Sequence, residues 1–294
     1  MPARSQKPLR TASFTVAAMI AFAANSLLCR MALGQELIDA ASFTCVRILA
    51  GAATLALITA PRWRSHWPVA DWRSVAALSC YMAFFSFAYL TLAAGTGALL
   101  LFGAVQLTMF AVAIRGGERF SALSWSGVLA AFGGLVYLVA PGVRAPDPLG
   151  AGLMAIAGIA WGVYSLLGRS AADRPLTATA GNFLYSVPFA IVLSAVFISD
   201  LDVTRGGIAL AAASGALASG LGYAIWYAAL PDLQAGHAAT VQLSVPLIAA
   251  MGGVAFLSEQ VSYRLVIASG LTIGGIWLVL SQRSRPKRTS RPLG

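Results

Sequence analysis

The sequence predicts an all-α polytopic membrane protein, with ten transmembrane helices arranged as two inverted five-helix repeats. Three observations predict it. Of 294 residues, 59% are hydrophobic and only 10% charged, with a mean hydropathy of +0.78; the chain lacks the charge that a water-facing surface requires. Apolar runs of spanning length, roughly 20 residues, recur ten times. The phrase NSLLCR at 25–30 returns as YSLLGR at 164–169, 139 residues later.

The first run, 11–33, ends on that phrase. Arg4, Lys7 and Arg10 precede it and AFA stands at 21–23, a pattern shared with secretory signals. The repeat marks it instead as a retained helix. The second run, 38–60, carries Arg47 in SFTCVRILAG, and the breaker APRWRSHWP follows it. The third, 72–93, holds the aromatic stretch YMAFFSFAYL; the fourth, 95–114, holds Gln106 and ends at RGGERFS. The fifth, 121–140, starts at Ser121, a helix-capping residue type, and contains Gly133–Gly134. After APGVRAPDP comes the sixth, 148–170, with GIAWG and the returning phrase. DRPLT leads into the seventh, 177–199, with Pro188 inside. The eighth, 207–230, has Gly215, Ser219 and Gly222 on roughly one face, then GYAIWYAAL. The ninth, 235–257, carries Gln242 and Pro246; the tenth, 262–281, carries GLTIG. Each run is read as a helix, because backbone groups in lipid must bond within their own segment.

The repeat extends beyond its opening phrase. ERFS at 118–121 falls on EQVS at 259–262, and Gly133–Gly134 on Gly274–Gly275, both 141 residues apart. Five spans per unit is odd, so the second copy enters the membrane from the opposite side. The units are 1–143 and 144–282, with a basic tail at 283–294. Fifteen of the twenty Lys and Arg residues fall on the side of the N-terminus and three on the other, leaving Arg30 and Arg47 in or at the end of spans. That bias predicts a multi-pass membrane protein with both termini in the cytoplasm. The tail is a topology signal that also suits anionic lipid.

Inverted repeats are the architecture of many secondary transporters, which hold substrate near the midplane between halves. Ten spans in two halves, a glutamate closing spans 4 and 9, and the Gly–Gly pairs of spans 5 and 10 resemble the drug/metabolite transporter superfamily of the EamA type. Within it the chain is most similar to the bacterial YddG group of amino-acid exporters. The resemblance covers essentially the whole chain. It implies export of aromatic and other neutral amino acids through a central cavity lined mainly by spans 1, 3, 4, 6, 8 and 9. Other metabolites or drugs are the alternative cargo; a membrane enzyme or a passive channel fits less well.

The residues sharpen this. All ten carboxylates fall in loops or at span ends, so a buried acid of the kind that proton-coupled cation pumps use is missing. A cationic drug and a carboxylate proton relay are both disfavoured. Arg47 is the exception among the charges. Either it pairs with a substrate carboxylate, as the guanidinium fork allows, or it packs against carbonyls or reaches toward Glu36 and Asp39. The intramembrane amides Asn25, Gln106 and Gln242 need partners, either across helices or in a substrate. Tyr81, Phe85, Trp161, Tyr164 and Tyr223 are read as aromatic walls of the site or as helix-packing residues, whereas Tyr89 and Tyr227, near span ends, suit the interfacial belt. Pro188 and Pro246 remove backbone bonds and are read as hinges. GIAWG and GLTIG are spaced for close helix contact.

Three cysteines in apolar runs, and two histidines far apart, suggest neither disulfides nor a metal site. No catalytic residues and no cofactor are expected. The expected partners are a small-molecule substrate and lipid, not nucleic acid. The sequence sets no oligomeric state, and a monomer is compatible with two halves on one chain.

Overall fold

The computed structural model describes residues 6–63, 67–118, 120–142, 145–168, 174–233 and 240–283. The helices are α1 (Gln6–Gly34), α2 (Ala40–Thr59), α3 (Trp72–Ala88), α4 (Ala94–Arg115), α5 (Ala122–Val139), α6 (Pro148–Gly168) and α7 (Pro175–Val196). They continue with α8, composed of Arg205–Ala213, Ser214–Leu221 and Gly222–Ala229, then α9 (Ser244–Leu257) and α10 (Tyr263–Arg283). Each overlaps one of the ten predicted spans; the start of the predicted ninth span, 235–239, lies outside the described residues. Among the described residues, nine helices are long and apolar enough to cross a membrane. The tenth, α3, is 17 residues long and mostly buried by its neighbours. Arg4, Arg64, His66, Arg119, Arg144, Arg169, Asp173, His237 and the tail from 284 lie outside the described residues.

Helix starts follow the capping residues. Asp39 accepts the Ser42 N–H at 2.8 Å, Ser121 the Ser124 N–H at 3.1 Å, Asp147 the Gly150 N–H at 2.6 Å and Ser262 the Leu265 N–H at 3.1 Å. Asp71 caps α3, and the Ser74 hydroxyl bonded to it holds its carboxyl below the usual carboxylate range. The predicted third span overshoots: α3 ends at Ala88, and a turn through Tyr89–Thr91 joins it to α4.

Two helix irregularities matter for the site. In α8 the middle section, Ser214–Leu221, is a π-helix, a widened turn that often marks functional positions. The helical residues 240–242 and α9 are separated at Leu243, three residues before Pro246. A proline cannot donate to the carbonyl four residues back and its ring crowds that carbonyl, which places the break there.

The principal helix pairs are α5/α10, α3/α6, α2/α7, α4/α6, α2/α8, α4/α9 and α1 with α8 and α9. Exchanging the first five helices for the last five leaves α2/α7, α4/α9 and α5/α10 unchanged. The same exchange turns α3/α6 into α8/α1, α4/α6 into α9/α1 and α2/α8 into α7/α3, all of which are present. The outer surface is apolar, with Leu57, Leu129, Phe256 and Val266 more than half exposed, as helices facing lipid require.

Small residues set the closest approaches, though not all where the sequence placed them. In GIAWG, a Cβ on Gly158 would stand 2.6 Å from that of Ala104, so α6 lies tight on α4. In GLTIG, Gly270 and Gly274 have nothing within 4 Å of such an atom. The α5/α10 contact turns on Gly275 instead, against the Gly127 and Ala131 backbone, with Thr272 against Gly134. The contact face of α10 is thus rotated by one residue from the GxxxG spacing.

Candidate functional site

The site assembles from polar residues that an apolar helix cannot leave unpartnered. Asn25 of α1 is 7% exposed. Its Nδ2 donates to the Tyr81 hydroxyl at 3.3 Å, and its Oδ1 accepts from the Ser214 hydroxyl, at the start of the π-helical section. Arg47 of α2 is wholly buried. Its Nη2 donates to the same Tyr81 hydroxyl at 3.0 Å, while its Nε and Nη1 have no hydrogen-bond partner. The guanidinium carbon lies 4.7 Å from the Phe85 ring centre and 5.4 Å from that of Tyr81, within cation–π range. The alternative of an ion pair with Glu36 or Asp39 is not what forms. The Arg47 backbone is backed by Gly215, where any Cβ would collide with the Arg47 carbonyl oxygen. The π-helical turn and a glycine therefore let α8 seat directly on α2 at this residue.

From Arg47 an aromatic column runs through the bundle. Tyr89 meets Phe85 at 4.8 Å between ring centres, Phe85 meets Tyr81 at 5.4 Å, and Tyr81 meets Trp161 at 4.8 Å. Trp161 stacks on Tyr164 at 5.3 Å and on Tyr223 at 5.5 Å. Tyr223 continues to Phe22 at 5.8 Å and Tyr227 at 6.5 Å. A second polar cluster closes that end. Asn182 Nδ2 reaches the Tyr164 hydroxyl at 3.4 Å, and the Thr179 hydroxyl lies 3.2 Å from that of Tyr227.

Of the residues picked from the sequence, Asn25, Arg47, Tyr81, Phe85, Trp161, Tyr164 and Tyr223 come together in this column. Gln106 and Gln242 do not join it; both are half-buried, and neither side chain hydrogen-bonds to a described residue. Tyr89 and Tyr227 are not belt residues. Tyr89 is fully buried and donates to the Ala94 carbonyl at 3.2 Å, and Tyr227 ends the column. Of the helices expected to line a central cavity, α1, α3, α6 and α8 supply the rings of this column; α2 and α7 add Arg47, Thr179 and Asn182. Ser214, Thr179 and Asn182 were missed. Asn182 carried the same signal as Asn25, an amide inside an apolar run.

A charged cluster joins helices at one end of the bundle. Arg30, at the end of α1, donates from Nη1 to the Tyr89 and Leu90 carbonyls at 3.1 and 3.0 Å, and its Nε lies 3.5 Å from Glu259. The Glu259 carboxylate also accepts the Ala94 N–H, at 3.1 and 3.0 Å from its two oxygens. Ala93, at the cap position of α4, offers no side-chain bond, so Glu259 supplies the cap from the loop between α9 and α10. A carboxylate at a helix N-terminus is stabilised there by the helix dipole as well. Ser258 adopts a left-handed φ of 55° that turns the chain to deliver it.

Comparison with known proteins follows the same line. Residues 148–281 match the EamA-like transporter family. An uncharacterized protein of Pseudomonas aeruginosa is 50% identical over 275 residues, spanning 93% of this chain and 96% of its own. An uncharacterized transporter of Archaeoglobus fulgidus is 25% identical over 216 residues, spanning 70% and 75%. A solved crystal structure superposes with a TM-score of 0.63 at 21% identity, covering 90% of this chain and 98% of that one; that likeness concerns the fold alone.

Proposed function

We propose that the chain, whose residues 148–281 match the EamA-like transporter family and which is similar to uncharacterized transporters, is a transporter of the drug/metabolite superfamily that exports small amphipathic metabolites by alternating access. Aromatic and other neutral amino acids are the candidate cargo. The observation that carries this reading is the aromatic column, which bears one polar cluster at Tyr81 and another beside Tyr164 and Tyr227 and crosses the interface of the two halves. Aromatic walls with a few placed polar groups suit a small solute that has an apolar body and a polar head. Asn25, Arg47, Tyr81, Phe85, Trp161, Tyr164 and Tyr223 are the substrate contacts in this reading.

The positive-inside bias orients the molecule with Arg30 and Glu259 at the outer face. Their contact with Ala94 is then an outer gate that joins α1, α4 and the α9–α10 loop, and it opens when the halves rock. The break at Leu243 is where α9 bends; α7 runs as one unbroken helix through Pro188, so the hinge expected there is not formed in this state. Among the described residues no acidic side chain lies along the column, which supports movement down the substrate gradient over a carboxylate proton relay.

Counterflow in proteoliposomes tests the proposal. Vesicles loaded with unlabelled phenylalanine should accumulate labelled phenylalanine transiently, at a saturable rate that a proton ionophore leaves unchanged. Linear, non-saturating flux without counterflow would identify a channel instead.

A further inference from the structure

The polar groups around Arg47 are unequal in kind, and the inequality bears on the charge of the cargo. We infer that this site is built for a small organic anion, a monocarboxylate with an apolar or aromatic tail, in preference to a zwitterionic amino acid; the inference rests on the transport reading above.

The hydrogen-bond inventory carries it. Arg47 leaves Nε and Nη1 without partners, which is three N–H donors on a wholly buried, permanently charged group. The Tyr81 oxygen accepts from both Asn25 and Arg47. Its two lone pairs are thereby used, and its own proton remains free to donate. The Asn25 carbonyl oxygen is taken by Ser214, while one of its two amide protons is unassigned. The acceptors facing the guanidinium are thus consumed and the donors are in surplus. Ser219, a buried hydroxyl without a partner in the same π-helical section, serves as donor or acceptor.

The charges agree. Every described carboxylate sits at a helix end or in a loop, and the one described salt bridge joins Arg30 to Glu259. A buried guanidinium with no counter-ion is costly unless something supplies the negative charge. Asp39 has one unpartnered oxygen on the same helix. It lies eight residues from Arg47, about 12 Å along the axis at 1.5 Å per residue. The ammonium of an α-amino acid is one carbon away from its carboxylate, so a carboxylate held by Arg47 leaves that ammonium far from Asp39. Nor do the nearest rings receive it, because Phe85 and Tyr81 already face the guanidinium. An ammonium at this position meets a like charge and surplus donors.

Three ligands that share one ring separate the possibilities: 3-phenylpropionate as anion, phenylalanine as zwitterion and phenethylamine as cation. Each is measured by uptake into proteoliposomes of the full-length protein and by the thermal shift it confers on the protein in detergent. The expected order is phenylpropionate, phenylalanine, phenethylamine. Arg47→Gln should lose phenylpropionate uptake by about tenfold or more, and Arg47→Lys should recover only part of it, since an ammonium lacks the bidentate fork. The thermal shifts on the unaltered protein need no variant, so a folding defect in Arg47→Gln leaves the test intact. Phenylalanine or phenethylamine moved as well as phenylpropionate overturns the anion inference and leaves transport standing. Equal phenylpropionate uptake by well-folded Arg47→Gln also overturns it. Failure of all three to move or to stabilise overturns both readings.

Discussion

Tyr81 is the pivot of the polar cluster at the scale of single residues. Its hydroxyl receives a donor from α1 and another from α2, so one oxygen holds Asn25 and Arg47 together. Tyr81→Phe keeps the ring contacts with Phe85 and Trp161 but strands both donors. An unsatisfied buried donor costs about 1–3 kcal/mol, so the variant should melt several degrees lower in a detergent thermal-shift assay. Substrate affinity should weaken as the guanidinium loses its anchor; an unchanged melting temperature would argue that Asn25 and Arg47 find other partners. These residues were legible because each is a polar letter in an apolar run. Gln106 and Gln242 carried the same signal and missed the column, because a run of apolar residues does not record which way a given position points around its helix. Asn182 shows the converse error.

Among the helices, the informative features are departures from regularity. The capping interaction of Glu259 on α4 crosses from one half to the other. Glu259→Gln keeps a carbonyl acceptor for the Ala94 N–H but removes the charge facing Arg30. As a gate residue it should alter the rate of counterflow several-fold while changing stability little, because a part-exposed ion pair contributes about 0–1 kcal/mol. Arg30→Gln should do the same, and the double variant should be no worse than either single one. Additive effects in that cycle would separate the two residues and remove the gate. Pro246→Ala restores an N–H able to bond the Gln242 carbonyl and so mends the break at Leu243. Turnover should fall with stability held or raised; undiminished turnover would show that the bend is only structural. The sequence announced both prolines and the small face of α8. It did not announce the π-helical section, because Gly215, Gly220 and Gly222 permit a widened turn without requiring it. The widening accompanies the seating of α8 on the Arg47 backbone, which is a tertiary contact.

Taken as a whole, the molecule is a set of helix pairs that survives exchange of its two halves. The orientation proposed for it is directly testable. In a background without Cys29, Cys45 and Cys80, a Ser199→Cys label site between α7 and α8 should react with an impermeant thiol reagent on intact cells. A Ser290→Cys site in the tail should react only after permeabilisation. The reverse pattern would invert the bundle and place the proposed Arg30–Glu259 gate inside.

The sequence by itself determined that the chain is a membrane protein and roughly where its ten helices lie, and it carries the repeated phrases that suggest two similar units. Those properties depend on composition, run length and local caps, all of which act within a few residues along the chain. Only the tertiary structure decided which polar residues meet. It brought Asn25, Arg47, Tyr81 and Ser214 together from four helices, excluded Gln106 and Gln242, moved the α10 contact from GLTIG to Gly275, and gave Glu259 to α4. Each of those outcomes depends on helix rotation and on contacts between distant segments. In a membrane bundle nearly every face is apolar, so hydrophobicity does not set that rotation, and close packing and hydrogen bonding do.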